Sequence, residues 1–314
     1  MNPTSSPKTL IFGTGPLGRS VMEELIVQRK RVRMVNRTGR ADVPNNVEVV
    51  AADLLSGKGV EAAAAGASII YQCANPPYDK WPEQFPALQN AILSAAAQVN
   101  ARVVIGENLY MYGDTDGAPL TEDLPYRATT RKGKVRGQMA LDALQMHRDG
   151  KVRVVIGRAS DYFGPGVRAS AMGERVFIPA LNGKSASLLG NIDLPHTFSY
   201  IGDVGKALVM LGEHEETYGE AWHLPSAPAV SQRAMAEMIF SQLGTKPKLQ
   251  SAGRWMMALA GLFVPAAKEI VEMMYEFEKP FVMDSSKFER RFGVAAMNMD
   301  EAVRNTIEWY RHHK

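Results

Sequence analysis

Three glycines near the amino terminus have the spacing of a phosphate-binding turn. Gly13, Gly15 and Gly18 form a Gly-x-Gly-x-x-Gly pattern between a short apolar run and a stretch with helical periodicity. In such a turn the glycines permit a tight bend, a close approach of the backbone to a pyrophosphate and close helix packing, and the helix N-terminus attracts the phosphates. Because the motif stands between a predicted strand and a predicted helix, it indicates a dinucleotide site rather than a mere tight turn.

The end of the second apolar run bears on which dinucleotide is bound. It closes in Asn36, which is followed by Arg37, Thr38 and Arg40. A carboxylate at this point would bind the ribose hydroxyls of NAD and repel a 2′-phosphate, whereas a guanidinium is a planar partner for phosphate. The sequence therefore favours NADP(H), with NAD(H) as the alternative cofactor and a solvated basic turn as the alternative structure.

Short β-branched apolar runs alternate with helical patterns through the first half of the chain. The runs are residues 8–12, 31–36, 47–53, 67–73, 101–107 and 152–158. Parallel strands need long crossover connections, so this alternation predicts an α/β fold of Rossmann type, a doubly wound parallel sheet with helices on both faces. We expect an NADP-binding domain over residues 1–165 and a smaller interleaved substrate lobe over 166–314, with a segment from about 196 to 225 returning to the first domain.

Composition excludes several classes of function. The chain of 314 residues has 46% hydrophobic residues and a formal net charge of +3, with basic and acidic residues interspersed, so we expect no nucleic-acid partner. The single cysteine, Cys73, and an N-terminus without a signal pattern predict a cytoplasmic protein. The most apolar stretch, residues 255–267, is too short to span a bilayer; we expect a buried or pocket-lining helix there and no membrane partner.

Metal and hydrolytic chemistry have little support in the sequence. Four of the six histidines are scattered along the chain, and His312 stands beside His313 near the carboxyl end, where we expect both to be exposed. The sequence has no His-Glu-x-x-His motif, no paired cysteines and no Gly-x-Ser-x-Gly motif. We predict that no metal is bound.

Several further motifs carry a resemblance to a known family. They are Asp53 in "AADLL", "CANPPY" at 73–78, "MYGD" at 111–114, "GRASDYFGPG" at 157–166, "HTFSYIGDVGKAL" at 196–208, "DSSKFERRFG" at 284–293 and "EAVRNTIEWYR" at 301–311. With the glycine turn, they make nearly the whole chain resemble the extended branch of the short-chain dehydrogenase/reductase superfamily, the NAD-dependent epimerase/dehydratase-like proteins. Homodimers are frequent among such relatives, so a homodimer is one expectation.

The resemblance implies a set of cofactor-contacting residues. In this numbering the set is Gly13, Thr14, Gly15, Pro16, Leu17, Gly18, Asn36, Arg37, Thr38, Asp53, Leu54, Ala74, Asn75, Lys134 and Tyr162. Within it, Asp53 resembles the acid that contacts the adenine.

The resemblance also implies an altered catalytic set. Members carry a Tyr-x-x-x-Lys pair at the start of a helix and a serine after the fifth strand; the matching positions here are Thr130, Lys134 and Asn108. Lys134 would bind the nicotinamide ribose and Asn108 would donate a hydrogen bond to a substrate oxygen. Threonine is a poor general acid, so Thr130 has helix capping as its alternative role. We expect the flanking cations Arg131, Lys132 and Arg136 to be solvated.

A proton donor would then come from another side chain. Tyr110, Tyr126 and Tyr162 lie on loops that the fold brings toward the carboxyl ends of the strands, where sites of this fold class lie. Tyr110 is the preferred candidate. An ordinary half-buried aromatic beside the strand end is its alternative role.

The substrate class is indicated by His196 and by apolar segments. His196 stands where the resemblance places an arginine that grips a diphosphate, and an unperturbed imidazole is a poorer clamp near neutral pH. Methionines and aromatics in residues 254–265 and 269–283 suit an apolar pocket or simply the core of the smaller lobe. Pro76, Tyr78, Tyr126 and His196 are the expected substrate contacts.

These features predict an atypical NADP(H)-dependent reductase of a carbonyl or conjugated double bond in a small, fairly hydrophobic substrate. Two alternatives remain. One is an epimerase or dehydratase acting on a sugar-like substrate. The other, suggested by the missing tyrosine, is a noncatalytic NADP-binding sensor.

Overall fold

The computed structural model describes residues 9–263 and 265–313. The N-terminal segment on which the signal prediction rests, including the first residue of the predicted run 8–12, lies outside these residues.

Within the described residues the chain alternates between strands and helices. The strands are β1 (Thr9–Phe12), β2 (Val32–Asn36), β3 (Glu48–Ala51), β4 (Ile69–Gln72), β5 (Arg102–Glu107), β6 (Val154–Arg158), β7 (Asp161–Phe163), β8 (Ala186–Leu189), β9 (Pro195–His196), β10 (Phe198–Tyr200), β11 (Ala221–His223), β12 (Val230–Ser231) and β13 (Leu249–Ala252). The α-helices are α1 (Pro16–Val27), α2 (Val60–Ala64), α3 (Trp81–Gln98), α4 (Arg131–Arg148), α5 (Glu174–Leu181), α6 (Ile201–Glu213), α7 (Gln232–Gln242), α8 (Arg254–Ala260), α9 (Pro265–Val271), α10 (Tyr275–Glu278), α11 (Ser286–Phe292) and α12 (Met299–His312). Short 3-10 turns cover Tyr78–Lys80, Tyr110–Tyr112 and Glu215–Thr217.

The central sheet confirms the predicted fold class. Seven strands of the described chain form it in the order β11-β6-β5-β4-β1-β2-β3, and the strands from β6 to β3 pair in parallel. Each of the six predicted apolar runs contains one of these strands. β1 and β6 are buried throughout, as expected for strands covered on both faces.

The chain divides into two compact units. The first consists of residues 9–107, 134–158 and 204–222, and it contains the strands β1 to β6. In this unit the buried Gln72 side chain donates to Gln89 Oε1 at 3.1 Å, and Gln89 Nε2 donates to the Met139 carbonyl at 2.8 Å, so hydrogen bonds join these two buried amides beside the sheet.

The second unit consists of residues 108–133, 159–203 and 223–313 apart from residue 264. It contains three small two-stranded sheets: β7 with β10, β8 with β13, and β9 with β12. Its largest apolar core packs α5, α7 and α12 through side chains such as Phe177, Phe240 and Tyr310. Ser231 caps α7 and Asn298 caps α12, each accepting a backbone N–H of the first turn.

The sequence predicts a buried or pocket-lining helix at 255–267, but the described part of this stretch is not one buried helix. Met257 is buried on the inner face of α8, but Trp255, Leu262 and Phe263 are 82%, 74% and 86% exposed. The apolar stretch that follows is buried as expected of a core, with Met274 and Phe277 packed beside Met257.

A search of the described helices found none that is both long enough and apolar enough to cross a bilayer.

Candidate active site

The glycine turn has the geometry of a phosphate cradle. Gly13 has φ +113°, and a Cβ there would lie 2.8 Å from the Ala74 nitrogen; a Cβ on Gly18 would clash with the Gly13 carbonyl oxygen. Gly15 differs, because no atom lies within 4 Å of the place of its Cβ. It is exposed and caps α1, and Pro16 and Leu17 open that helix. The turn is therefore closed on two sides and open at the helix N-terminus, where a phosphate would be held.

Asn36 organises the loop beside this turn. Its Nδ2 donates to Thr14 Oγ1 at 3.1 Å and to the Arg40 carbonyl at 2.8 Å, and its Oδ1 accepts the backbone N–H groups of Thr38 and Gly39. The Asn36 side-chain amide thus uses its hydrogen bonds to hold the loop in place and not to bind a cofactor ribose. Arg37 and Arg40 are exposed around it.

Arg19 is a cation of this region that the sequence prediction missed. Its Nε donates to the Thr14 carbonyl at 3.2 Å and its Nη1 to the Asp42 carbonyl at 2.6 Å. The signal was available, since a basic residue in the second turn of a helix that begins at a phosphate cradle lies close to that cradle.

Asp53 lies on the loop after β3 with its neighbour Leu54. Its Oδ2 accepts the Ser56 hydroxyl at 2.9 Å and its Oδ1 the Leu55 N–H at 3.0 Å. The Ser56 hydrogen bond, followed by the Leu55 one, holds the pKa of Asp53 below its usual value. The group is therefore a carboxylate at neutral pH and able to accept from an adenine amine.

The loop after β4 packs against the glycine turn. Cys73 is buried and its N–H bonds the Phe12 carbonyl at 2.9 Å, and burial raises the pKa of its thiol. Ala74 lies against Gly13, whereas Asn75 is exposed. Pro76 is buried and its carbonyl accepts the Trp81 indole N–H; Tyr78 is half-buried and meets that indole edge to face at 5.1 Å.

A buried ion cluster in the first unit was missed in the sequence. The Glu107 carboxylate, at the end of β5, receives Arg158 Nε at 2.7 Å and Arg136 Nη2 at 3.1 Å. The Arg136 guanidinium also lies 4.4 Å from the centre of the Phe85 ring. Arg136 is 1% exposed, so its prediction as a solvated cation is wrong.

The residues after β5 belong to the second unit. Asn108 Oδ1 accepts the Tyr110 N–H at 3.3 Å, which bends the chain into the short turn at Tyr110–Tyr112. Tyr110 and Asn108 are half-buried. Tyr112 is buried, its hydroxyl lies 2.8 Å from His223 Nε2, and its ring meets Tyr126 edge to face.

The start of α4 is held by a second ion cluster, also within the second unit. Thr130 Oγ1 accepts the Gly133 N–H at 3.1 Å, which confirms its capping role. Lys132 has no exposed side-chain surface and contacts the carboxylates of Glu269 and Glu272, and the half-exposed Arg131 joins both. The prediction that Lys132 is solvated is therefore wrong, because two carboxylates compensate its buried charge.

The burial pattern of α4 bears on the register of the catalytic match. Lys132, Arg136, Met139 and Ala140 are buried, whereas Lys134 is exposed. Residues four apart share a helix face and residues two apart do not, so Lys132 and Arg136 are the inward-facing pair. The matching of Thr130 and Lys134 to the family pair stays a prediction.

His196 is held by a carboxylate and by aromatic rings. Its Nε2 lies 3.0 Å from Asp161 Oδ2, and its ring stacks on Phe198 and Phe277 at 4.6 and 5.3 Å between centroids. His196 is 3% exposed. Tyr162, next to Asp161 in β7, is half-buried.

The site residues are thus distributed over both units. The cofactor set through Asn75, with Pro76, Tyr78 and Lys134, lies in the first; Asn108, Tyr110, Tyr126, Thr130, Tyr162 and His196 lie in the second. Among the described residues, no group of three or more His, Cys, Asp and Glu is arranged to hold a metal ion.

A parallel sheet of this order with a phosphate-binding turn after its first strand defines the class of Rossmann-type dinucleotide-binding proteins. The family model "NAD dependent epimerase/dehydratase family" matches residues 10–224. The chain belongs to this family, whose members are nicotinamide-dependent enzymes, as the sequence resemblance predicts.

Individual relatives are distant but cover nearly the whole chain. The mouse sterol-4-alpha-carboxylate 3-dehydrogenase, decarboxylating, is 21% identical over 333 aligned residues, covering 97% of this chain and 91% of the relative. An epimerase from Methanothermobacter thermautotrophicus superposes with a TM-score of 0.82 at 16% identity, covering 98% of this chain and 94% of that one. The dTDP-glucose 4,6-dehydratase of Streptomyces venezuelae, solved with NAD, gives 0.79 at 17% identity, covering 96% of each chain.

These comparisons bear on the predicted activity. They support an NAD(P)-dependent enzyme, and they favour the alternative of an epimerase or dehydratase over the carbonyl reductase that the sequence placed first. They do not distinguish NADP from NAD.

Proposed function

We propose that this protein is an NAD(P)-dependent enzyme of epimerase or dehydratase type whose reaction begins at a secondary alcohol of a hydroxylated, sugar-like substrate. The noncatalytic sensor is its main competitor, and turnover separates the two.

The open position at Gly15 is the observation that carries the proposal. At Gly13 and Gly18 the neighbouring backbone leaves no room for a side chain, so local packing alone explains why these two positions are glycine. At Gly15 there is room for a side chain, so local packing does not explain why this position is glycine. An exposed N-cap glycine with open space at a helix N-terminus fits the close approach of a pyrophosphate.

When bound, the nicotinamide would accept a hydride from the substrate carbon and return it. The chain's own task is to move the proton of the substrate oxygen, and Tyr110 is the tyrosine that we assign to it. Tyr112 is buried against His223, and Tyr126 packs on Tyr112. The buried Lys132 ammonium forms ion pairs with the carboxylates of Glu269 and Glu272, so we assign it a structural role and not proton transfer. Tyr110 would donate its phenolic proton to the oxygen in the reducing direction, and Asn108 would donate a hydrogen bond to the same oxygen.

We assign NADP(H) as the preferred cofactor. Asn36 replaces the carboxylate that would repel a 2′-phosphate and orders the loop that carries Arg37 and Arg40. Arg19 adds a third guanidinium at the Thr14 carbonyl. This arrangement supplies positive charge without a neighbouring acid on the loop from 36 to 40.

The surroundings of His196 argue for a substrate that does not present a diphosphate there. Its imidazole is paired with Asp161 and enclosed by aromatic rings, and the Asp161 carboxylate would repel a phosphate. The same apolar enclosure favours reduction of an apolar carbonyl substrate as a second candidate function.

Cofactor binding is tested by replacing Gly15 with alanine. Gly15→Ala should fold normally, because its Cβ meets nothing, and should weaken NADP binding in calorimetry at least tenfold by blocking the pyrophosphate. Gly253→Ala is a matched control, since Gly253 caps α8 with φ −76° against −77° for Gly15 and also has open space. Equal NADP affinity in both variants would contradict the proposed cradle.

Turnover distinguishes the candidate functions. An epimerase or dehydratase should convert a polyhydroxylated substrate with no net change in NADPH absorbance, whereas a reductase should consume NADPH steadily with a ketone or enone panel. Cofactor binding without turnover on either panel would favour the sensor. A Tyr110→Phe variant that works at the parental rate would remove Tyr110 from its assigned role.

A further inference from the structure

The hairpin of α8 and α9 carries an apolar surface that faces solvent. Five large side chains within nine residues are exposed: Trp255 by 82%, Met256 by 59%, Leu259 by 58%, Leu262 by 74% and Phe263 by 86%. We call these five residues the apolar tip. Soluble proteins rarely leave such a concentration in water without a partner for it.

The apolar tip is anchored from beneath. Met257 of α8 is buried and packs against the side chains of Leu189, Met274 and Phe277. Arg254, at the start of α8, pairs with Glu278 at 2.6 Å and donates to the Val271 carbonyl at 3.2 Å. The apolar tip is therefore on the side of α8 opposite the packed Met257, so a binding partner would be needed to bury it.

The chain segment that carries the apolar tip has charged residues of one sign only. Residues 238–268 contain Lys246, Lys248, Arg254 and Lys268 and no aspartate or glutamate. Lys268 lies beside the turn of the hairpin, where its backbone is 3.0 Å from the place of a Cβ on Gly261. Of the acids that follow, Glu269 and Glu272 are held by Arg131 and Lys132, and Glu278 is held by Arg254.

We propose that the apolar tip inserts shallowly into an anionic phospholipid surface. Tryptophan, phenylalanine and leucine side chains beside lysines form the combination that binds the headgroup region of acidic membranes. The sequence analysis predicts no membrane partner because nothing is long enough to span a bilayer, but lying in its surface requires no span. The proposal does not depend on the cofactor or on the reaction.

A second copy of this chain fits the apolar tip less well. A twofold contact through the same face would bring Lys268 of both copies together, whereas the charge of Arg254 is already offset by Glu278. Lysine is also depleted in protein interfaces. The largest exposures are at the turn, in Leu262 and Phe263, and such projecting side chains suit a fluid acceptor better than a flat protein face.

Vesicle flotation of the full chain tests the proposal. We expect the protein to float with vesicles of phosphatidylcholine containing 30% phosphatidylglycerol and not with phosphatidylcholine alone, and to detach at high salt. A Leu262→Ser, Phe263→Ser double variant should lose at least tenfold in the partition coefficient, because both insertions are removed. Lys268→Glu should also weaken binding to the anionic vesicles.

The control is a Val27→Ser, Leu141→Ser double variant, which removes exposed apolar residues of the first unit, 77% and 46% exposed, outside the tip. It should bind vesicles like the parent. Circular dichroism melting establishes that each variant is folded. No flotation with anionic vesicles, or equal flotation of the tip variant and the control, would overturn the proposal. Self-association that the tip variant abolishes, without vesicle binding, would assign the surface to a second copy instead.

Discussion

Arg37 and Arg31 flank the same strand, β2, and both are exposed, yet only Arg37 lies at the end that bears the glycine turn. If Arg37 binds a 2′-phosphate, Arg37→Ala should weaken NADP binding by about 10- to 100-fold, the value of one or two charge-assisted hydrogen bonds. NAD has no phosphate there, so its affinity should change little. Calorimetric titration with both dinucleotides measures the difference.

Arg31→Ala removes the same charge from the other end of β2 and serves as the control. It should leave both affinities near the parental values, because the long-range effect of one exposed charge is screened. Parallel losses for NADP and NAD in Arg37→Ala would mean that the arginine supports the loop and does not select the cofactor.

The outcome at Asn36 illustrates what single residues can and cannot predict. The sequence indicates correctly that no carboxylate closes β2. It does not indicate that the amide spends its donors and acceptors on Thr14, Thr38, Gly39 and Arg40. Those partners depend on how the loop folds back, which a residue type alone does not specify.

Helix α4 shows why elements are predicted more easily than the partners of their side chains. Its apolar periodicity is visible in the sequence, and extending the buried positions Met139 and Ala140 backwards by one and two turns reaches Arg136 and Lys132. Their charge led to the prediction of solvation. The compensating acids are remote in sequence: Glu107 ends β5, and Glu269 and Glu272 lie more than 130 residues beyond Lys132. No local pattern predicts such pairings.

The two lysines of α4 should therefore respond very differently to replacement by methionine. Lys132→Met leaves Glu269 and Glu272 without their buried cation, and we expect a loss of about 3 kcal/mol in the free energy of unfolding. Lys134 is exposed, so Lys134→Met should change that free energy by less than about 0.5 kcal/mol. Denaturant unfolding of both variants provides the comparison.

Burial raises the pKa of Glu269, but the hydrogen bonds and charges of Lys132 and Arg131 outweigh that effect and lower it overall. The free energy that Lys132 contributes should accordingly diminish as Glu269 is protonated in acid. A Lys132→Met chain as stable as the parent at neutral pH would show that the cluster is not required for folding. Cofactor titration of Lys134→Met also tests the predicted ribose contact, independently of stability.

The apolar stretch that contains α8 was predicted from its composition to be a buried or pocket-lining helix, and composition alone does not show which of its side chains are exposed. A short apolar helix can be buried by the rest of its own chain, or it can stay exposed and bind a partner, and both kinds of helix have the same composition. What separates them is the orientation of Met257 toward Met274 and Phe277, a contact made through the fold. Six of the seven strands of the central sheet, by contrast, follow from apolar runs and crossovers that are local patterns, whereas the short β11 lies in none of the predicted runs.

For the molecule as a whole, the most informative titratable group is Glu276 of the second unit. It is 2% exposed, and its Oε1 has no hydrogen-bond partner among the described residues. Burial, and then the charge of Asp161, raise its pKa well above the usual value. The folded chain thus holds this proton at a pH where the unfolded chain has released it, and stability should fall as pH rises from about 4.5 through the folded pKa.

Glu276→Gln removes this titration while keeping the shape of the side chain. The variant should match the parent near pH 4.5 and become progressively more stable than it toward pH 8, with a difference that grows by at most about 1.4 kcal/mol per pH unit. Asp161, His196 and Tyr275 are the other titratable groups around Glu276, and all three are present in both chains, so the difference reports the removal of the Glu276 carboxyl. Glu237→Gln, at an exposed position on α7, should follow the parental curve throughout. The effect is measured as the melting temperatures of the three chains across this pH range. If the melting temperature of Glu276→Gln changes with pH in parallel with that of the parent, the Glu276 carboxyl has its ordinary pKa in the folded chain, and the prediction is contradicted.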